Sequence, residues 1–286
     1  MPEHYLLRRY SRMLAARGWT LTETSKILDF GCGAGSYVRA FREEGYDVRG
    51  FEPFGGIAPS DDPAFSSLDW PSPYKVENYR RRHLPDLTID WKRNFRLPYP
   101  DATFDFVFST EVMEHISDHD AVLAELSRVM KPDAMAIHSF PARYRLMEPH
   151  VLVPLGGVLK FAAWYRAWLA IWPPKANPWL AGLSGKETAR MSLWYARGSL
   201  HYPTLKQLRR IADRYFERST FVPLAWEEGS AKIRFVFPWL YSRTQNVIWM
   251  LERPTYRPET HPPNYPQPPP RPSSTSWGFR KPQPPR

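Results

Sequence analysis

Between residues 26 and 140, short apolar runs alternate with stretches of helical period. Lys26–Phe30, Asp47–Phe51, Leu87–Trp91, Phe104–Ser109 and Ala134–Phe140 read as strands, being short and rich in branched and aromatic residues. Ser36–Glu44 follows a cluster of glycines and stops at Gly45, a residue suited to the position after a helix end. His119–Met130 places Val122, Leu126, Val129 and Met130 on one face, and Pro132 stops it. Thr204–Tyr215 opens on a capping Thr204 and repeats Leu205, Leu208, Ile211 and Ala212. Two β-like runs follow, Phe216–Ala225 and Gln245–Leu251. The alternation predicts an α/β fold: a doubly wound, mostly parallel seven-stranded sheet over residues 26–253, with residues 1–25 as a helical lead-in.

Two segments break the pattern. Residues 141–200, rich in Trp, Pro, Leu and Ala, read as an α-rich insertion after the predicted fifth strand. Within it Val151–Trp172 is long enough to span a bilayer, but Lys160, Arg166, Pro154, Gly156 and Gly157 argue against a transmembrane helix. Three readings stay open. The segment caps a substrate pocket, or it lies at a membrane interface with Trp164, Trp168 and Trp172 as anchors, or it is ordinary core. Residues 254–286 hold 12 prolines and no apolar period, so disorder with polyproline II character is expected from Pro254 onward. A Pro-rich ligand for a partner domain is the second reading of that tail.

The most informative local stretch is Ile27-Leu28-Asp29-Phe30-Gly31-Cys32-Gly33-Ala34-Gly35-Ser36, an apolar strand running through three glycines into a helix. Glycines admit positive φ and let a ligand approach the backbone. Glu52 stands at the end of the next strand, where a carboxylate can accept both hydroxyls of a ribose. A dinucleotide fingerprint would carry glycine where Ser36 stands. Asp29 would repel a pyrophosphate and suits a cationic ligand such as the amino group of an amino acid.

These stretches resemble class I S-adenosylmethionine-dependent methyltransferases, in particular the type 11/12 group that acts largely on small molecules. Ile27–Gly35 is similar to the family's first motif, and Phe51-Glu52-Pro53 to its acidic second-strand motif. The run from Leu97 to Ile116, with Leu97-Pro98-Tyr99-Pro100-Asp101 and Glu111-Val112-Met113-Glu114-His115-Ile116, resembles its fourth-strand region. Leu126-Ser127-Arg128-Val129-Met130-Lys131-Pro132-Asp133 resembles the helix and turn that follow; Asp133-Ala134 departs from the usual pair of glycines there. The resemblance covers about residues 26–140 and implies a Rossmann-like fold and S-adenosyl-L-methionine as cofactor. It implies that Asp29, Gly31, Gly33 and Gly35 line the methionine part, that Glu52 holds the ribose, and that Asp90, with Asn94 as the alternative, meets the adenine. Ser109–Glu111 would sit beside the methyl group.

Around that centre Glu111 and His115 are the candidate catalytic residues, each with a structural role as its rival reading. His138 reads as a core histidine. Arg143 and Tyr144, after the predicted fifth strand, are candidates for binding the acceptor, and Trp164 and Trp168 for an apolar wall over it. The single cysteine, Cys32, excludes a disulfide scaffold, a Cys-based zinc site and covalent carbon-5 cytosine methylation; no metal is expected. The net charge of +10 favours anionic partners without selecting one, and five basic residues of the tail face the single acid Glu259. No Asn/Asp-Pro-Pro-aromatic stretch occupies the end of the fourth strand, so no specific nucleic acid is expected. The polar, Arg-rich Met1–Arg12 points to a cytoplasmic setting, with peripheral membrane contact through the insertion as an option. The expected reaction is methyl transfer to a hydroxyl or carboxylate of a small-molecule or lipid-linked acceptor. The rivals are a nucleic-acid or protein methyltransferase and a non-catalytic cofactor-binding protein.

Overall fold

The computed structural model describes residues 3–33, 35–51, 96, 97, 99–172, 184–223 and 246–256. Six strands form one sheet: β1 (Lys26–Phe30), β2 (Asp47–Phe51), β3 (Phe104–Thr110), β4 (Met130–Pro141), β5 (Phe216–Pro223) and β6 (Asn246–Pro254). Their order is β2-β1-β3-β4-β6-β5. β1 pairs in parallel with β2 and β3, and β3 with β4, whereas β6 runs antiparallel between β4 and β5. The seventh expected strand, Leu87–Trp91, lies outside the described residues.

Helices cover both faces, as a doubly wound sheet requires. α1 (Glu3–Ala15), the expected lead-in, and α2 (Ser36–Glu43) pack on the face carrying Ile27, Phe106, Phe108, Ile137 and Ile248. α3 (His119–Val129) and, farther along the chain, a helix over Leu205–Ala212 pack on the opposite face with Leu28, Val107, Ala136 and Trp249. Successive strand residues point to opposite faces, so the near-continuous apolar runs follow from burial on both sides. Asp118 caps α3 by accepting from the amide of Ala121. The chain turns extended at Met130, which pairs with Phe104, so β4 begins four residues before the predicted Ala134.

The insertion is α-rich: α4 (Ala162–Ile171) and α5 (Gly185–Ser199) enclose a core of their own, including Val151, Val153, Tyr165, Leu169, Leu193 and Ala196. No described helix is long and apolar enough to cross a membrane. On its way from Val151 to α4 the chain passes Tyr202 so closely at Gly157 that a Cβ there would lie 2.7 Å from that ring. After the insertion comes α6 (Leu205–Ala212), capped at Thr204 as expected, with Gln207 returning the bond.

At the other end of the sheet a buried charge fixes the entry into β3. Arg128 donates to both oxygens of Glu125 at 2.8 and 2.7 Å, to Asp101 at 2.7 Å, and to the carbonyls of Tyr99 and Leu97. Glu125 in turn accepts from the amide of Leu97. The loop before β3 is thus clamped to α3. The expectation that order ends at Pro254 is corrected here. β6 runs through Pro254, and Tyr256 reaches Asp101 with its hydroxyl at 2.9 Å. Tyr256 thereby joins the Arg128 network through Asp101.

Two outcomes follow from this network. Arg128→Ala strands Glu125 in the core and should cost about 3–5 kcal/mol in urea unfolding, the penalty for breaking a buried pair. Removing residues 254–286 takes away the end of β6 and Tyr256 and should lower the melting temperature by several degrees. Removing 257–286 alone should leave it within about 1 °C. A calorimetric scan of both truncations makes the comparison.

Candidate active site

The parallel strands β1 and β3 end side by side, and the turns that leave them share the carboxyl edge of the sheet. After β1, Gly31, Gly33 and Gly35 have φ of 79°, 52° and 74°, a region side chains disfavour. Gly31 has a second reason to lack a Cβ, since one would lie 2.3 Å from Val112 in the turn after β3. The amides of Gly31 and Cys32 donate to the carbonyl of Phe51 at 2.7 and 3.1 Å, tying this turn to the end of β2. Asp29 is buried one residue before the end of β1.

After β3 the chain makes an acidic turn. Glu111 takes φ 56°, costly for a residue with a Cβ, and its amide is held by the carbonyl of Ser139 at 2.8 Å. Its carboxylate accepts from Asn246 at 2.8 Å. A short 3-10 helix, Met113–His115, then turns Glu114 inward to 1% exposure. Burial first, and then the charge of Glu111, pushes the pKa of Glu114 well above the ordinary carboxylate value. Burial also raises that of Glu111, against the opposing pull of His150 and Arg145.

The insertion docks on this turn. The amide of His201 donates to the carbonyl of Glu114 at 2.6 Å, and the ring of His150 meets that of His115 edge to face at 4.9 Å. His150 pairs through Nδ1 with Glu148 at 2.7 Å. Glu148 also accepts from the hydroxyl of Tyr202 at 3.0 Å and from the amides of His150 and Val151. Burial works to raise the pKa of Glu148, but these hydrogen bonds outweigh it and hold the group below its ordinary range. Tyr202, buried and facing Glu148 and Glu114, is pushed up.

The sequence candidates therefore separate. Glu111 and His115 stand together at the edge, near the glycine turn. Ser109 is fully buried, and its hydroxyl pairs with Nδ1 of His138 at 2.8 Å. His138 is the core histidine the sequence suggests; burial lowers its pKa to about 3. Arg143 donates to the carbonyl of Tyr202 and Arg145 to Asn246, so both guanidinium groups serve the scaffold, while Tyr144 is exposed. Trp164 and Trp168 donate their indole N–H groups to the carbonyls of Pro154 and Leu152 and lean on the insertion's core. Glu52, Asp90 and Asn94 lie outside the described residues. Sequence reasoning missed Glu114, Glu148, His150, Tyr202 and Asn246 as site residues. Glu148-Pro149-His150 stood out in the sequence, but nothing there says that it folds back on Glu114.

A methyltransferase-domain family matches residues 3–215, most of the chain. An uncharacterized methyltransferase of Schizosaccharomyces pombe is 33% identical over 113 residues, 38% of this chain and 37% of that protein. Malonyl-[acyl-carrier protein] O-methyltransferase of Serratia marcescens is 33% identical over 123 residues, 43% of this chain and 41% of that protein. The chain thus spans about two fifths of the length of these curated relatives. Haemonchus contortus phosphoethanolamine N-methyltransferase 2, solved with S-adenosyl-L-methionine, aligns with a TM-score of 0.44 at 12% identity over 86% of this chain and 52% of that one. The extent of the family match decides the assignment: this chain belongs to the methyltransferase-domain family.

Proposed function

We propose that the chain transfers a methyl group from S-adenosylmethionine to an oxygen of a small-molecule or lipid-linked acceptor. The observation that carries this reading is the glycine turn, three left-handed glycines entered from buried Asp29, on the same sheet edge as Glu111. Asp29 and the three glycines suit the methionine part, and Glu52 and Asp90 the ribose and adenine. The cofactor supplies an electrophilic methyl group on a sulfonium. The acceptor oxygen forms a bond to that carbon as the carbon–sulfur bond breaks and its electron pair stays on sulfur. The protein's share is alignment and exclusion of water. Glu111, whose affinity for a proton is raised by burial, accepts the acceptor's proton, with His115 beside it.

The relative that methylates malonyl-[acyl-carrier protein] supports an oxygen acceptor. The insertion supports an apolar one. Among the described residues, the exposed large apolar side chains are Tyr144, Leu146, Met147, Phe161, Ile171 and Trp172, all within residues 141–200. Such a concentration suits contact with lipid or a lipid-linked substrate. Trp164 and Trp168 would then shape the acceptor wall from behind, since their N–H groups are committed to the insertion's own backbone.

Calorimetry should show binding of S-adenosylmethionine and its demethylated product but not NAD, and Glu52→Ala should weaken it at least about tenfold. Unchanged affinity in that variant would overturn the ribose assignment. Vesicles with anionic headgroups should retain the protein, more weakly at high salt. The double change Ile171→Glu and Trp172→Glu should abolish that retention while leaving cofactor affinity intact. Equal sedimentation of wild type and variant with the vesicles would remove the lipid contact from the reading.

A further inference from the structure

The methyl-transfer reading gives no role to Glu114 and His150, which stand against His115. Glu114 is 1% exposed, and among the described residues no cationic or amide side chain donates to either oxygen of its carboxyl group, whose side-chain neighbour is a second acid, Glu111. Burying a carboxyl group without donors is expensive, and native structures keep few such groups. Two imidazole nitrogens face it instead: Nε2 of His150 at 3.8 Å and Nε2 of His115 at 3.9 Å from Oε1. We propose that Glu114, His115 and His150 bind one divalent transition-metal ion at the carboxyl edge, where it holds an oxygen of the acceptor.

The geometry fits a shared ion. The three donor atoms lie within 4.8 Å of one another. Two ligands that are each about 2.0–2.2 Å from one metal stand at most about 4.4 Å apart, so a small inward movement closes the triad. The surroundings of His150 point the same way. Nδ1 of His150 is taken up by Glu148 at 2.7 Å, which leaves Nε2 as the ring nitrogen that faces Glu114. A carboxylate behind a histidine, itself anchored by Tyr202 and two amides, is the support that metal-bound imidazoles receive. Two imidazoles and one carboxylate favour ions such as Zn2+ or Mn2+ over Mg2+ and Ca2+, which prefer oxygen throughout. Three protein ligands leave room for an outside oxygen.

The ion's role rests on the methyl-transfer reading; its binding does not. A hydroxyl on the metal loses its proton more readily, to Glu111 or to water. The resulting oxyanion attacks the methyl carbon, the carbon–sulfur bond breaks, and sulfur keeps the pair. Glu148 is a positioning residue, acting through His150.

The test uses the full chain, free of any tag and stripped with a chelator. Titration with Zn2+ and with Mn2+ should show about one ion bound per chain, and Mg2+ should bind at least about tenfold more weakly. Glu114→Gln and His150→Ala should each lower the affinity about 10–100-fold, and Glu148→Gln about tenfold. Circular dichroism and S-adenosylmethionine affinity of each variant separate loss of the metal from loss of the fold, and a failed metal site from a failed cofactor assignment. Should a variant not fold, Co2+ added to the wild type decides: visible bands of imidazole-ligated Co2+ that Zn2+ displaces support the site, and their absence overturns it. No saturable binding of Zn2+ below about 1 mM, or equal affinity in folded Glu114→Gln and His150→Ala, would also overturn it.

Discussion

In the register Ile27–Phe106, Leu28–Val107 and Asp29–Phe108, β1 and β3 run in parallel, and the turn after each must leave by the same edge of the sheet. The rest of the site depends on that pairing. It brings Val112 over Gly31 so closely that no side chain fits there. It also places a left-handed glycine turn, which costs glycine little, next to a left-handed Glu111, whose strain the sheet supports. The backbone bonds that hold them, from Gly31 and Cys32 to Phe51 and from Glu111 to Ser139, come from the neighbouring strands. Strain at the edge is thus sustained by regular pairing in the layer beneath.

Electrostatics divides the molecule into two buried polar centres of different character. Around Arg128 each charge meets its opposite and each donor an acceptor, which makes a rigid clamp on the loop before β3. Around Glu114 three carboxyl groups, Glu111, Glu114 and Glu148, crowd two histidines, and only Glu148 is richly hydrogen-bonded. The first arrangement is that of a structural element, the second that of a site whose charge is completed by something it binds.

The sequence made the sheet legible because strands buried on both faces leave short apolar runs; β1 and β2 begin and end where those runs do. Capping at Thr204 was equally plain, since a Thr just before a helical period reports a local interaction. The glycine turn and Glu111 could be found for the same reason, as local patterns at strand ends. What could not be read is what depends on distant chain. His150 and Tyr202 reach the site only because the insertion folds on its own core and docks its end on Glu114, contacts spanning tens of residues that no local period encodes. Tyr256 was hidden likewise: proline-rich composition signals weak packing, and a single tyrosine closing a distant network overrides it locally.

The insertion leaves the sheet at Pro141 and is fastened at its neck, where Arg143 grips the carbonyl of Tyr202 and Lys160 that of Leu200. Its apolar core shares no residue with the two cores that flank the sheet. Such a unit behaves as a cassette. Substitutions inside it can remodel its exposed apolar face without disturbing strand pairing or the glycine turn, so the two can diverge at separate rates. The freedom has one limit: any replacement cassette must still bring an imidazole to the carboxyl group of Glu114 and a backbone donor to its main-chain carbonyl.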